Sequence, residues 1–457
     1  MFSRFGQHLL SQLLCLGRHT MTGLLSTSGK LFEDWTADYR LYSQDRVNLE
    51  QVFHTVFREI VSMQTPRSPL VAALDDTTLP KYGKKIPGVR YARDPMGPRF
   101  RINLIRGQRI VQLSAALHQS GEASRMVPVL VKDAALPAKP KKWAPPEEWE
   151  SYKAECKEKS LGRYGVSGIQ QLRSQMDQLG QKDRPLWVCV DGGYTNRTVI
   201  RGLPERTVLI GRIREDAKLY WPAVSLRVQQ AGRKAVYGPQ APTPKEIRQD
   251  DSKEWQTVRA LAAGKFHDFR IKTVDALRWR PAGTATTVRI IVIAPLHYRL
   301  TQKSRLLYRN PAYLICTDPG ADLQKVLQAY LWRWDIEVNF RDEKTLLGVG
   351  QAQVRNAKSV AAMPQMMVAA YSLLLLAAIR VFGIAGTCRD LPTPKWQSHK
   401  LKRRMTTSDM IKVLRGELWG QAIQNANFSG FAEHQTTITK PFLSNDGVFS
   451  AMVYALG

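Results

Sequence analysis

Residues 70–78 read LVAALDDTT, a run of five apolar side chains that ends on two adjacent carboxylates. An apolar run of this length, bounded by turn-forming residues, predicts a buried strand that ends at Asp75 or Asp76. Residues 186–193 read LWVCVDGG and repeat the pattern, with Asp191 directly after a second apolar run. Both patterns place a carboxylate at the end of a buried strand.

Further strands are predicted on either side of the second aspartate. Residues 99–106 and 109–117 read as two strands joined at Gly107, which form a three-strand meander with the first strand. Residues 207–214 predict another strand. Between residues 215 and 319 several β-like pieces are separated by turn-forming residues, and we interpret this region as a β-rich insertion.

Helical spacing of apolar side chains marks five other segments. They are residues 32–61, 150–179, 322–346, 359–381 and 407–423. The first predicts an N-terminal helical domain, and the last predicts a helix capped by Thr407 or Ser408. Residues 132–150 are rich in proline, lysine and tryptophan, which predicts a surface excursion without regular structure.

The charge balance of the chain is strongly basic. Lysine and arginine number 67 against 39 aspartates and glutamates, which gives a formal net charge of +28. The basic residues recur along the whole length rather than in one tail, which favours an extended surface for a polyanion. Nucleic acid is the partner that this composition predicts.

The cysteines and the apolar stretches indicate a compartment. The five cysteines lie far apart, without a CxxC pair or a zinc-like histidine cluster, so the sequence predicts a reducing cytoplasm. The apolar stretch 366–379 is too short for a typical membrane span and ends at Arg380, which favours a buried core helix. We expect neither a signal peptide nor a transmembrane segment.

Residues 330–344 read YLWRWDIEVNFRDEK. On a helix with about 100° per residue, Tyr330, Arg333, Glu337 and Lys344 fall within roughly 60° of one another. One face therefore carries a carboxylate flanked by cations. A solvated face with ion pairs is the alternative interpretation of this pattern.

Two strand-end aspartates, a basic chain and a carboxylate flanked by cations are what metal-assisted phosphoryl transfer requires. Three carboxylates can hold two Mg²⁺ ions about 3.5 to 4 Å apart, one at the attacking oxygen and one at the leaving oxygen. Glu343 lies about 120° from Glu337 around the helix, and we expect it to be solvated.

The spacing Tyr-x2-Arg-x3-Glu-x6-Lys at residues 330–344 resembles the signature of bacterial insertion-sequence transposases of the Asp-Asp-Glu type. Residues 74–77 (LDDT), followed by Lys81 and Gly83, and residues 190–194 (VDGGY) resemble the two aspartate motifs of the same family. The resemblance implies an α/β fold, with an RNase H-like mixed sheet flanked by helices.

The resemblance also implies which residues bind metal. Asp76, Asp191 and Glu337 would hold two Mg²⁺ ions, for which Mn²⁺ substitutes. Because side chains alternate across a strand, only one of Asp75 and Asp76 can face the metals. The alignment of the motif favours Asp76, and Asp75 is the alternative.

DNA contacts follow from the same resemblance. Tyr330, Arg333 and Lys344 would hold the phosphate of the transposon end, and Lys81 would join the DNA-binding set. Related transposases hold a flipped base with an aromatic side chain of the insertion, for which Trp221 and Trp279 are candidates.

The domains are assigned accordingly. They are an N-terminal helical DNA-binding domain at 1–66, two parts of an RNase H-like catalytic core at 67–214 and 321–385, a β-rich insertion at 215–320, and a basic C-terminal helical region at 386–457.

By resemblance, the protein binds the inverted ends of a mobile element, frees a 3′-hydroxyl by hydrolysis and uses it to attack DNA. The route is cut-and-paste, with a hairpin intermediate. The partners are double-stranded DNA at the element ends and target, and a second copy of the chain, in the bacterial cytoplasm. The alternatives are an RNase H-like nuclease without strand transfer and an inactive DNA-binding descendant.

Overall fold

A computed structural model describes residues 2–424, except residues 45, 95–96, 99, 119–123, 224–234, 300–303 and 387–403. The helices are α1 Phe2–Leu14, α2 Met21–Thr27, α3 Thr36–Ser43, α4 Leu49–Ser62, α5 Pro146–Glu158, α6 Leu161–Gln178, α7 Arg197–Arg201, α8 Pro244–Gln249, α9 Leu323–Trp332, α10 Trp334–Thr345, α11 Ala357–Phe382 and α12 Thr407–Gln424. The strands are β1 Leu70–Pro80, β2 Arg90–Arg93, β3 Leu104–His118, β4 Ser124–Asp133, β5 Leu186–Val190, β6 Thr207–Arg212, β7 Leu219–Pro222, β8 Tyr237–Ala241, β9 Gln256–Ala262, β10 Lys265–Trp279, β11 Val288–Ile293, β12 His297–Tyr298, β13 Leu307–Tyr308 and β14 Ala312–Cys316.

The central sheet is mixed. On one side of β1 lie β3 and then β4, each antiparallel to its neighbour. On the other side lie β5 and β6, both parallel to β1. The order β4-β3-β1-β5-β6, with helices packed on the sheet, is the RNase H-like arrangement that the sequence predicts.

The predicted meander is present, but its strands differ from the prediction. β1 continues past the two aspartates to Pro80, because residues 75–80 keep pairing with β3 after the parallel pairing with β5 ends at Leu74. β3 is one continuous strand through Gly107, and the third strand is β4. At Gly107 a Cβ atom would lie 2.5 Å from Thr78 Cγ2, so only glycine permits this close pairing.

The alternating side chains of β1 face two different clusters. Val71 and Ala73 belong to the cluster that contains Ile336 and Phe340 of α10. Leu70, Ala72 and Leu74 belong to the larger cluster formed with α4, α6 and α11. A residue's parity along β1 therefore decides whether it faces the α10 side of the sheet.

Most strands between residues 215 and 320 extend the central sheet, whereas β12 and β13 form a separate two-stranded sheet. β14 pairs with β6, β11 pairs with β14 and β10 pairs with β11, so the order continues outward from the core. The N-terminal helices are likewise part of the main core, since α1 and α4 pack on α11 and α4 also packs on β4.

α11 is long and apolar enough to cross a membrane by length and composition, but two thirds of its most apolar part is buried inside the protein.

α12 is capped by Thr406, not by Thr407 or Ser408, because Thr406 Oγ1 accepts a hydrogen bond from the Asp409 backbone N–H at 3.3 Å. Most of the predicted C-terminal region, from residue 425, lies outside the described residues.

The expectation that Glu343 is solvated is wrong. Its side chain is 1% exposed, because this face of α10 lies against β3 and β4. Glu343 Oε1 accepts a hydrogen bond from Gln112 Nε2 at 3.0 Å, and the same amide donates to Ser114 Oγ at 3.3 Å. Ser114 Oγ in turn donates to Asn339 Oδ1 at 3.1 Å, so a chain of buried polar side chains joins α10 to β3.

Burial raises the pKa of Glu343 from 4.5 to about 8. Between these values the folded protein holds a proton that the unfolded chain has released, so the stability from this group is complete below pH 4.5 and is lost as the pH rises to about 8. We expect Glu343→Gln to gain about 1.4 kcal/mol in free energy of unfolding over wild type per pH unit across this window.

Thermal unfolding followed by circular dichroism across this pH range measures the effect. The difference in Tm between Glu343→Gln and wild type should widen as the pH rises. Glu254→Gln, which changes an exposed carboxylate, should track wild type throughout. A difference for Glu343→Gln that does not vary with pH would show that Glu343 is already ionised in the folded protein.

Candidate active site

Asp75 and Asp191 leave the sheet next to each other. The parallel pairing of β1 and β5 ends with Leu74 opposite Val190, so each aspartate is the next residue along neighbouring strands. Because side chains alternate along a strand, each aspartate faces the same side as the residue two positions before it. These residues are the buried pair Ala73 and Cys189, so both aspartates face the α10 side. Burial raises the pKa of Asp75 to about 7, and repulsion from Asp191 and from Asp76 adds to the increase.

Asp76 lies on the opposite face and is held by protein groups. Its Oδ1 accepts a hydrogen bond from Tyr194 Oη at 2.8 Å. Its Oδ2 pairs with Arg109 Nε at 2.5 Å, from a residue of β3 on the same face. Burial and the charge of Asp76 raise the pKa of Tyr194, which keeps this tyrosine protonated as a donor.

Asp191 is oriented by the turn that follows β5. Its Oδ1 accepts hydrogen bonds from the backbone N–H groups of Gly193 at 2.9 Å and Tyr194 at 3.2 Å. A Cβ atom at Gly193 would lie 3.2 Å from this oxygen, so a glycine at this position avoids a close contact with the carboxylate. The DGGY motif therefore fixes one oxygen of Asp191 through the backbone.

The predicted stripe at residues 330–344 is divided between two helices. α9 ends and α10 begins at Arg333, where the bonds of Arg333 N–H to Tyr330 O and of Ile336 N–H to Arg333 O span three residues instead of four. This tighter turn directs the Arg333 side chain towards the sheet.

Arg333 lies between Asp75 and Glu337. Its Nη2 donates to Glu337 Oε1 at 3.0 Å, and its Nη1 lies 3.6 Å from Asp75 Oδ2. The guanidinium carbon also lies 5.6 Å from the centre of the Tyr330 ring. The Arg333 side chain is mostly buried, whereas the Glu337 side chain is 37% exposed, so solvent screens the pair of Arg333 with Glu337.

Lys344 holds the other end of α10. Its Nζ donates to Thr77 Oγ1 at 2.5 Å, and Thr77 lies on the same face of β1 as Asp75. Burial lowers the pKa of Lys344. Residues of the stripe thus contact β1 at both ends of α10, which fixes Glu337 relative to the strand that carries Asp75.

The side chains on the α10 side are of the type that binds a hard divalent cation. All three side chains are carboxylates, and the repulsion that raises the pKa of Asp75 is what a bound cation relieves. Among the residues that the structure describes, no three His, Cys, Asp or Glu side chains are gathered closely enough to form a metal site. The Glu337 carboxylate is directed to Arg333 instead.

Lys81 does not belong to a DNA surface. It is buried, and its Nζ donates to the backbone oxygens of Gly350 at 3.0 Å and Ala352 at 2.6 Å. Burial lowers its pKa to about 8. The predicted DNA contact is therefore corrected to a structural role, in which Lys81 ties the end of β1 to the segment after α10.

The two predicted tryptophans differ in position. Trp279 lines a cleft of about 840 Å³ next to Asp191, together with Gly192, Thr195, Arg212 and Tyr313. Trp221 is exposed on β7 and does not line that cleft.

The sequence did not identify several residues of the site. Arg109 and Thr77 become partners only through strand pairing and helix packing, which spacing along the chain does not reveal. Tyr194 was detectable as the residue after Asp191-Gly-Gly, but its contact with Asp76 was not. Arg212 shares the cleft because β6 lies beside β5.

Comparison with known proteins gives the family. The model that describes DDE superfamily endonucleases matches residues 3–285, more than half of the chain. The match contains both aspartate motifs and ends before α9 and α10, so it does not include Glu337. No match was found among curated proteins. The chain belongs to the family of DDE superfamily endonucleases.

Proposed function

We propose that this protein is the DNA transposase of a mobile insertion sequence. The observation that carries the proposal is the position of Asp75 and Asp191, side by side beyond paired strands and facing the helix of Glu337. Family membership supports phosphoryl transfer on DNA. The basic composition supports a polyanionic substrate.

We assign the first carboxylate to Asp75 and not to Asp76, which the motif favours. Asp75 faces α10 and lies near Arg333, whereas both oxygens of Asp76 contact other protein groups on the far side of the strand. Asp76 then serves to fix the end of β1 through Tyr194 and Arg109. The motif-based prediction that Asp76 is the metal ligand is the alternative, and comparing variants of Asp75 and Asp76 decides between them.

Asp75, Asp191 and Glu337 would hold two Mg²⁺ ions, with Mn²⁺ as a substitute. Such ions activate the attacking oxygen and stabilise the leaving oxygen. Arg333, Tyr330 and Lys344 lie on the same side and provide the cations and hydroxyl that position a phosphate. In the absence of DNA, the Arg333 guanidinium balances Asp75 and Glu337.

The proposed reaction begins with hydrolysis and continues with attack by the 3′-hydroxyl that hydrolysis releases. First, a water oxygen bonds to the phosphorus at the element end, the P–O3′ bond breaks, and the released 3′ oxygen takes a proton. Second, this 3′-hydroxyl attacks a phosphorus atom, losing its proton as the P–O3′ bond of the attacked strand breaks. Attack on the opposite strand gives a hairpin, in which a second water must break the new P–O3′ bond to free the 3′-hydroxyl again. Attack of the free 3′-hydroxyl on the target joins the element.

Two copies of the chain would act together, because two element ends must be joined. The cytoplasm of a bacterium is the expected location. Trp279 is the candidate for holding an unstacked base, because its cleft adjoins Asp191 and contains Arg212 for a nearby phosphate.

The matched pair Asp75→Asn and Asp76→Asn tests the assignment. On a duplex carrying the inverted repeat that bounds the reading frame, with Mg²⁺ and a plasmid target, Asp75→Asn should lower joining by about a thousandfold. Asp76→Asn should lower it by less than about tenfold and lower Tm, because it removes a contact that holds the strand. Calorimetric titration with Mn²⁺ should show weaker binding only for Asp75→Asn.

The reverse order of effects would restore Asp76 as the metal ligand. Joined product that persists in Glu337→Gln would contradict the transposase assignment. Hydrolysis without joining by the wild-type protein would instead identify a nuclease, and DNA binding without either reaction would identify an inactive descendant.

The pair Trp279→Ala and Trp221→Ala tests the role of the cleft. Stacking on a base contributes about 1–3 kcal/mol, so Trp279→Ala should slow hairpin formation by roughly tenfold to a hundredfold and spare the first nick. Trp221→Ala should behave as wild type. Denaturing gels that separate nicked from hairpin product measure both rates, and equal effects of the two variants would contradict this role for Trp279.

A further inference from the structure

Residues 82–104, here called the β2 arm, expose an unusual set of apolar side chains. Phe100 is 93% exposed and Ile102 is 77% exposed. Tyr82, Tyr91 and Leu104 of the same arm are also exposed. Large apolar side chains concentrated in one short segment mark a surface that another molecule covers.

The β2 arm is also strongly basic. It contains six lysines and arginines against one aspartate, Asp94. The exposed cations among its described residues are Lys84, Lys85, Arg90, Arg93 and Arg101. Asp94 accepts a hydrogen bond from Asn103 Nδ2 at 3.1 Å within the arm. This charge favours a nucleic acid over an apolar protein surface as the occupant.

The base of the arm is firmly built. Arg106 Nη1 donates to Gly83 O at 2.5 Å, and Arg106 Nη2 donates to Lys84 O at 3.2 Å. The Tyr82 backbone N–H donates to Gln353 Oε1 at 3.0 Å. β2 pairs with residues 104–107 of β3. The exposed side chains therefore project from an anchored hairpin.

The position of the arm relates it to the carboxylates. β1 runs without interruption from Asp75 to Pro80, and the arm begins two residues later. At about 3.3 Å per residue, this length of strand covers roughly 17 Å to the base of the arm. β3 pairs Gly107 with Pro80 and extends three residues farther to Leu104, so the turn with Phe100 and Ile102 begins roughly 26 Å from Asp75, or about eight base pairs of duplex. A duplex with its scissile phosphate at Asp75 reaches the arm over that distance if it follows the strand.

Cations alone would give only phosphate contacts, whereas exposed apolar side chains beside arginines match proteins that wedge into a base step and unstack it. We infer that the β2 arm binds the element-end duplex about eight base pairs from the scissile phosphate and inserts Phe100 and Ile102 between bases. The inference rests on the proposed function. The element end is the occupant because it must be held for the first cut, before a target is joined.

The test measures base unstacking in EDTA, without strand cleavage. Short duplexes of the element end carry 2-aminopurine at successive positions, and its fluorescence rises where stacking is lost. Wild type should give a rise that peaks about eight base pairs from the cut. Phe100→Ser/Ile102→Ser should abolish the rise while affinity falls by less than about tenfold, because the phosphate contacts remain.

Charge is tested with a matched pair of double variants. Arg93→Gln/Arg101→Gln should make the dependence of log K on log salt shallower by about 1.8, as expected for two lost phosphate contacts. Arg67→Gln/Lys182→Gln removes the same charge from exposed residues at the amino edge of β1 and β5, and should leave the slope unchanged. Val381→Ser, an exposed apolar residue of α11, is the control for Phe100 and Ile102.

Three results would overturn the inference. They are no fluorescence rise with wild type, a rise that survives in Phe100→Ser/Ile102→Ser, and arm variants that alter self-association in sedimentation but not DNA binding. The last would identify a protein interface. Wild type that unstacks the duplex but neither cuts nor joins it with Mg²⁺ would contradict the proposed function alone.

Discussion

The parallel register of β1 and β5 is the constraint on which the site depends. It places Asp75 and Asp191 side by side where the two strands separate, and burial makes their mutual repulsion costly. Such a pair is relieved either by uptake of a proton, which the raised pKa of the buried Asp75 favours, or by a nearby cation. Arg333 supplies that charge to Asp75, and the tight turn between α9 and α10 brings it there.

The alternation of β1 separates two aspartates that the sequence shows as neighbours. Asp75 faces the helix of Glu337, whereas Asp76 faces Tyr194 and Arg109 and helps to hold the strand. α10 is positioned from two directions. Lys344 donates a hydrogen bond to Thr77 of β1, and Glu343 accepts one from Gln112 of β3 in the chain of buried polar side chains. Adjacent residues thus have partners on different sides, both on the strand and on the helix.

Local patterns predicted the buried strands, their aspartates, the helices and the basic character of the chain. They failed where long-range partners decide the outcome. The length of β1 depends on β3, and Glu343 is buried because helix α10 packs against the sheet on more than one face. Lys81 looked like a surface cation, but backbone oxygens from residues 350 and 352 enclose it. Spacing alone could not reveal these contacts, since the partners are distant in sequence.

The strands from β7 to β13 lie along the chain between β6 and β14, which are themselves paired. The two ends of this stretch are therefore held together by backbone hydrogen bonds, whatever lies between them. The spatial relation between Asp191 and Glu337 is independent of the number of residues that separate them. The stretch between β6 and β14 can therefore vary in length, as loops vary on a scaffold, while the relation between Asp191 and Glu337 is kept.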